Sequence, residues 1–229
     1  MQNFSNFVSM IEVFLNPRVI ETKDWATFVF LLSFILIAIT KTVFETRFNE
    51  FLRILVSDKY IKVYKDSTNL MSGFTILLFI VQIISFSFFI QVLLDYFGYV
   101  KKTDWVSFIR ISSLLTIFVL SKFLIEKIIA ETFEIEEFIE QFNLQKVGYR
   151  TFIGLLILPV NIYLFYNNPS NYLIFITLAV ILIINMATYL ISLKNYQNLL
   201  IGNLFYFILY LCALEIAPYY FIYYLITKI

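Results

Sequence analysis

Apolar residues run along this chain in long unbroken blocks, not in the alternation of a half-buried strand. Six blocks, over 25–43, 70–94, 105–123, 147–166, 172–193 and 205–226, approach the roughly 20 residues that a helix needs to cross about 30 Å of hydrocarbon. Enrichment in Ile, Phe and Val would suit buried strands, but block length and the absence of period-two alternation predict helices. A barrel would need short alternating segments instead. The expected fold is therefore all-α: a polytopic membrane bundle of about six transmembrane helices, forming one integral domain over 1–229.

The segments between the blocks follow a different pattern, with apolar residues at helical spacing and polar ones opposite. Over 1–20, Phe4, Phe7, Val8, Ile11, Phe14 and Leu15 share one face and Asn3, Ser5, Ser9 and Glu12 the other, which predicts an interfacial anchor helix. It has neither the positive start nor the continuous apolar core of a signal peptide. In 44–69, Phe44, Phe48, Phe51, Leu52 and Leu55 recur among charges, predicting a second interfacial helix. In 124–146, Ile135, Phe138, Ile139 and Phe142 form a stripe on an acidic background, so the third span is expected to continue out of the membrane as an amphipathic helix. A shift of 80 positions lays Asp24 and Trp25 on Asp104 and Trp105, Phe28 on Phe108 and Ser33 on Ser113. Few other side chains match, so a parallel duplication and two unrelated apolar hairpins both stay open.

Composition supports the membrane reading: 61% of residues are hydrophobic and 14% charged, against about 25% charged in soluble domains. The net charge of +1 marks no nucleic-acid binder. Lysines and arginines sort by side. Lys41, Arg47, Arg53, Lys59, Lys62, Lys65, Lys122, Lys127, Lys146, Arg150 and Lys194 gather on one side, and Arg18, Lys23, Lys101, Lys102 and Lys228 on the other. The first side is expected to be cytoplasmic, which puts both termini outside. Trp25, Trp105 and the tyrosines near 219–224 then fall at the outer interface as an aromatic belt. On the cytoplasmic side, Arg47, Arg53, Lys59, Lys62 and Lys65 are candidates for contact with acidic lipid or a partner, although positive-inside topology alone explains them. The acidic 124–146 segment reads as a solvated face or as a surface docking on that basic stretch or on a cytoplasmic partner.

With no histidine and one cysteine, Cys212, the chain lacks the residues for histidine-ligated haem, histidine zinc sites, Ser-His-Asp triads and internal disulfides. No cofactor, metal or catalytic set is expected. Glu215, halfway along the last block, costs several kcal/mol in hydrocarbon unless protonated or paired. It reads as a proton or substrate site, or as a neutral contact between helices. Arg110, about two turns inside the third block, is a candidate partner unless it snorkels outward. Lys122 is expected to snorkel inward. Pro218 and Pro159 each free a carbonyl one turn back and should bend their spans. Asn161, Asn185, Gln82 and Gln91 are expected to hydrogen-bond between helices, and Cys212 to be inert.

Three segments carry a family likeness: Arg47 to Arg53 (RFNEFLR), Ser85 to Phe89 (SFSFF) and, most distinctive, Phe205 to Pro218 (FYFILYLCALEIAP). Across nearly the whole chain the sequence resembles a Bacteroidota inner-membrane family known only as a domain of unknown function. The resemblance implies a bacterial inner membrane and draws attention to Glu215 and Pro218, but carries no activity. Three functions follow as expectations. The first is a non-enzymatic scaffold or accessory component of envelope assembly or secretion, in contact with the bilayer and with membrane or cytoplasmic proteins. The second is a small proton-coupled transporter or lipid flippase using Glu215, for which a homo-oligomer would be needed. The third is an intramembrane lipid-modifying enzyme, disfavoured because the titratable groups are scattered.

Overall fold

The computed structural model describes residues 23–54, 60, 63–64, 72–132, 136–167 and 171–195. Among them the chain is helical: α1 Asp24–Val43, α2 Glu45–Leu52, α3 Gly73–Tyr96, α4 Trp105–Thr132, α5 Glu136–Tyr166 and α6 Asn171–Asn195. Helices α1, α3, α4 and the Phe142–Tyr166 part of α5 are long and apolar enough to cross a membrane, and α6 contains a shorter apolar stretch, Tyr172–Thr188. The 205–226 block, the 1–20 anchor, Glu215, Pro218, Cys212, Lys59, Lys62 and Lys65 lie outside the described residues.

Helices α3 and α5 form the centre and share the largest interface. They run parallel: Thr151 meets Gln82 and Gly154 meets Ser85, both at a separation of 69 residues. Helices α1 and α4 pack on α3, and α6 packs on α5. Helix α3 is the most buried of the spanning helices and α4 the least. Among the described residues α4 turns Leu114, Ile117 and Leu120 outward, as a lipid-facing helix should.

Helix α3 ends in a left-handed residue, Gly98 at φ 77°, which only glycine adopts at no steric cost. The Tyr99 amide reaches back to the Leu94 carbonyl and the Gly98 amide to that of Asp95, the two bonds of a Schellman cap. The chain then turns into α4, whose start is capped by Asp104. Its carboxylate accepts from the Val106 amide at 3.1 Å and the Ser107 hydroxyl at 2.6 Å. The Ser107 hydroxyl chiefly, with the Val106 amide and the Arg110 charge, holds this carboxyl below its ordinary 3.8. A depressed carboxyl stabilises the fold fully above its unfolded value and loses that contribution as pH falls through its lower folded value. Asp104→Asn should therefore lower the melting temperature in detergent at pH 6, with the gap to the native protein closing as pH drops below about 3.8. A constant gap across that range would show that the charge is immaterial.

The outer turn is fastened from several sides. Gln91 donates to the Asp104 carbonyl at 2.7 Å, and Lys102 donates its amide to Asp95 at 3.0 Å and its ammonium to the Asn167 carbonyl at 2.8 Å. Trp25 donates to the Thr103 carbonyl at 3.0 Å, with its ring half-buried against Phe88, Phe108 and Phe165. Of the two tryptophans, Trp105 is the exposed one. Trp25 is a packing residue because its helix begins against the turn that opens α4.

The inner connections also depart from the expected pattern. Helix α2 does not lay its apolar face on lipid. Phe48 and Phe51 join Ile54, Tyr60, Phe74, Leu78, Leu144 and Tyr149 in a buried cluster beneath α3 and α5. The stretch 124–146 is divided between two helices: α4 continues the third span to Thr132, and from Glu136 the residues belong to α5.

Candidate functional site

Polar side chains inside apolar helices must find partners within the protein, and those of α3 and α5 find each other. Thr151 donates to Gln82 Oε1 at 2.8 Å, Ser85 donates to the Gly154 carbonyl at 2.7 Å, and Asn161 donates to the Ser85 carbonyl at 2.7 Å. All of these side chains are buried. The absence of a side chain at Gly154 allows this approach. A Cβ there would lie 3.2 Å from the Gln82 Cα, a backbone atom that cannot swing aside. Gly154→Val should cost about 2 kcal/mol through overpacking, read as a lower midpoint in denaturing-detergent titration. An unchanged midpoint would mean the two helices are not so closely held.

Toward the inner end the seam opens into a cavity of about 610 Å³ between α3, α4, α5 and α6. Lys122 comes from α4, Lys146 and Arg150 from α5, Gln82 from α3, and Asn185 from α6. Helical spacing explains the convergence, since Lys146 and Arg150 stand one turn apart on one face of α5. Glu126, one turn beyond Lys122, is buried and accepts from Lys146 at 3.3 Å. It belongs to the bundle interior, not to a solvated acidic face. Lys122 is likewise buried and lines the cavity. Exposed charge on this part of α4 falls to Lys127 and Glu131, 3.8 Å apart. A second space, of about 530 Å³ and almost wholly apolar, separates α3 from the outer half of α4.

The residues singled out from the sequence are dispersed. Asn161 bridges α5 to α3. Asn185 bonds back to the Ile181 carbonyl of its own helix at 3.0 Å while lining the cavity. Arg110 is exposed near the outer end of α4, and Arg53 is exposed after α2. Arg47 turns inward: it donates to Ser72 at 2.7 Å and its guanidinium lies 4.6 Å from the Tyr64 ring centroid and 4.7 Å from that of Phe74. Burial pushes the nearby Tyr60 phenol above its ordinary 10.0, with Arg47 opposing. Arg47 thus anchors α2 to the start of α3.

A family model for a domain of unknown function, DUF4271, matches residues 26–226. The chain belongs to the DUF4271 family. That match takes in α2 to α6, all but the first two residues of α1, and the cavity. No curated protein and no solved structure compared with it matches. The family carries no assigned function, and four helices are long and apolar enough to cross a membrane, so the residues themselves carry the rest. Sequence reasoning did not single out Lys146, Arg150 and Glu126 as a group. The signal was present in two pairs four residues apart, Lys122 with Glu126 and Lys146 with Arg150, at the inner ends of consecutive spans.

Proposed function

We propose that this DUF4271 protein is a multi-pass component of the Bacteroidota inner membrane, with both termini periplasmic, acting as a non-enzymatic scaffold or accessory subunit in envelope assembly or secretion. The observation that supports this reading is the use of the spanning polar groups as fasteners. Gln82, Ser85, Thr151 and Asn161 lock α3 to α5, and that pair holds exposed charged positions such as Arg53, Lys127 and Glu131 at the inner end. A rigid frame with a charged cytoplasmic rim suits recruitment of partners. Photo-crosslinkers placed at Arg53 and Lys127 in the full chain should trap the same protein partner from both sites in cells, and one at lipid-facing Leu114 should not. Crosslinks to lipid alone, with a lone monomer recovered in mild detergent, would remove the reading.

A second reading, a small proton-coupled transporter or lipid flippase, takes support from the charged cavity between α3, α4, α5 and α6. It requires Glu215→Gln to abolish transport in proteoliposomes while leaving the protein folded. Undiminished transport in that variant ends it.

A further inference from the structure

The cavity at the inner end of the bundle gathers three basic side chains, Lys122, Lys146 and Arg150, on a largely apolar wall. Gln82 is 2% exposed, and its carbonyl oxygen already accepts from Thr151. Its amide nitrogen is buried with no hydrogen-bond partner. That nitrogen is closed off from the cavity and offers no donor to a ligand there. Arg150 lines the same space, is half-buried, and makes no ion pair among the described residues. Lys122 and Lys146 add positive potential, while the carboxylate of Glu126 is directed to Lys146. A guanidinium matches two phosphate oxygens at once, so the space around Arg150 suits an anion with several oxygens.

The rest of the wall says what the anion is attached to. Phe118, Leu182 and Met186 make the space predominantly apolar on its membrane side. Among the described residues, α4 and α6 both border the cavity and share no extensive interface. Arg150 stands eight residues, about 12 Å, inside the Phe142–Tyr166 span, so a lipid phosphate would be drawn below the headgroup level to reach it. The volume lies within the roughly 300–1,000 Å³ of small-molecule sites. A zwitterionic headgroup would bring its own cation among Lys122, Lys146 and Arg150, whereas an acidic one brings none.

We propose that this cavity binds the phosphate of an acidic phospholipid drawn from the leaflet at its own end. Arg150 donates to the phosphate oxygens, Lys122 supplies charge, and the acyl chains lie along the apolar wall of Phe118, Leu182 and Met186. The site does not depend on the scaffold reading.

The test uses the delipidated full-length protein in maltoside detergent, with binding read by native mass spectrometry. The arms are dioleoyl phosphatidylglycerol, dioleoyl phosphatidylcholine and sodium phosphate. Phosphatidylglycerol should be retained at least tenfold more tightly than phosphatidylcholine. Arg150→Gln should remove that preference, and Arg150→Lys should keep most of it. Lys122→Gln should weaken phosphatidylglycerol in the same direction and serves if Arg150→Gln does not fold. Equal retention of the two lipids, or a preference untouched by both glutamine variants, overturns the proposal. Sodium phosphate binding with no preference between lipids overturns the lipid assignment in favour of a free anion. If neither lipid nor phosphate binds and Arg150→Gln only destabilises the protein, the acceptor is a group of the chain itself and the proposal fails.

Discussion

Phe88→Ala is expected to lower stability by about 3 kcal/mol, toward the low end of the range for deleting a buried phenylalanine. The Phe88 side chain is fully buried. Its ring lies 4.1 Å from that of Phe30 and 4.6 Å from that of Phe108, with Trp25 at 5.7 Å and Phe165 at 5.5 Å. Those partners come from α1, α4 and α5, so one side chain of α3 joins four helices. In a bilayer the gain is not removal from water, because lipid tails are as apolar as the site. The loss is of close contacts and ring geometry, each such pair contributing about 0.5–1.5 kcal/mol, together with the void left behind. Phe88→Leu should cost roughly half as much, since it fills most of the space but restores none of the ring pairing. Titration with denaturing detergent reads both values. A change of under about 1 kcal/mol for the alanine variant would show that the outer halves of these helices are held by something other than this cluster.

Glu126→Gln should be comparably damaging, at about 3 kcal/mol, for an electrostatic reason. The carboxylate and the Lys146 ammonium are 5% and 11% exposed at 3.3 Å. Burying either charge alone is far costlier than burying both together, and removing one leaves the other to bear the full desolvation penalty. Lys146→Met in the Glu126→Gln background should then recover part of the stability relative to Glu126→Gln alone, because the buried cation that Glu126 balances is gone. A double variant as unstable as the sum of the two singles would show that the pair does not interact. Lys127 and Glu131 provide the internal control. They are 54% and 57% exposed at 3.8 Å, and Glu131→Gln should move stability by no more than about 0.5 kcal/mol.

Four of the spans were legible because crossing about 30 Å of hydrocarbon sets a minimum length of apolar helix. Helices α1, α3 and α4 begin within three residues of the apolar blocks at 25–43, 70–94 and 105–123, and α5 closes with its block at Tyr166. What periodicity along one helix does not encode is which neighbour a given face meets. Phe48 and Phe51 have the spacing of an interfacial helix, and nothing in that spacing distinguishes lipid from the underside of α3 and α5. Arg47 counts toward positive-inside bias whether its guanidinium faces solvent or, as here, two aromatic rings and a serine. Trp25 and Trp105 are equivalent as interface markers and unlike in three dimensions. The cavity was hardest to foresee because its members come from four helices, and each cation alone reads as a residue that snorkels. Glu215 and Pro218, the strongest sequence signals of all, lie outside the described residues.

Helix α4 resembles a leaf spring clamped at its two ends. Its outer end is held by the Asp104 turn and the rings around Phe88, and its inner end by the pairing of Glu126 with Lys146. Between the clamps it is flanked by open space on both sides. At 28 residues it measures about 42 Å, longer than the hydrocarbon it crosses. Its last turns therefore extend past the apolar block, and the two spaces share this one helix as a wall.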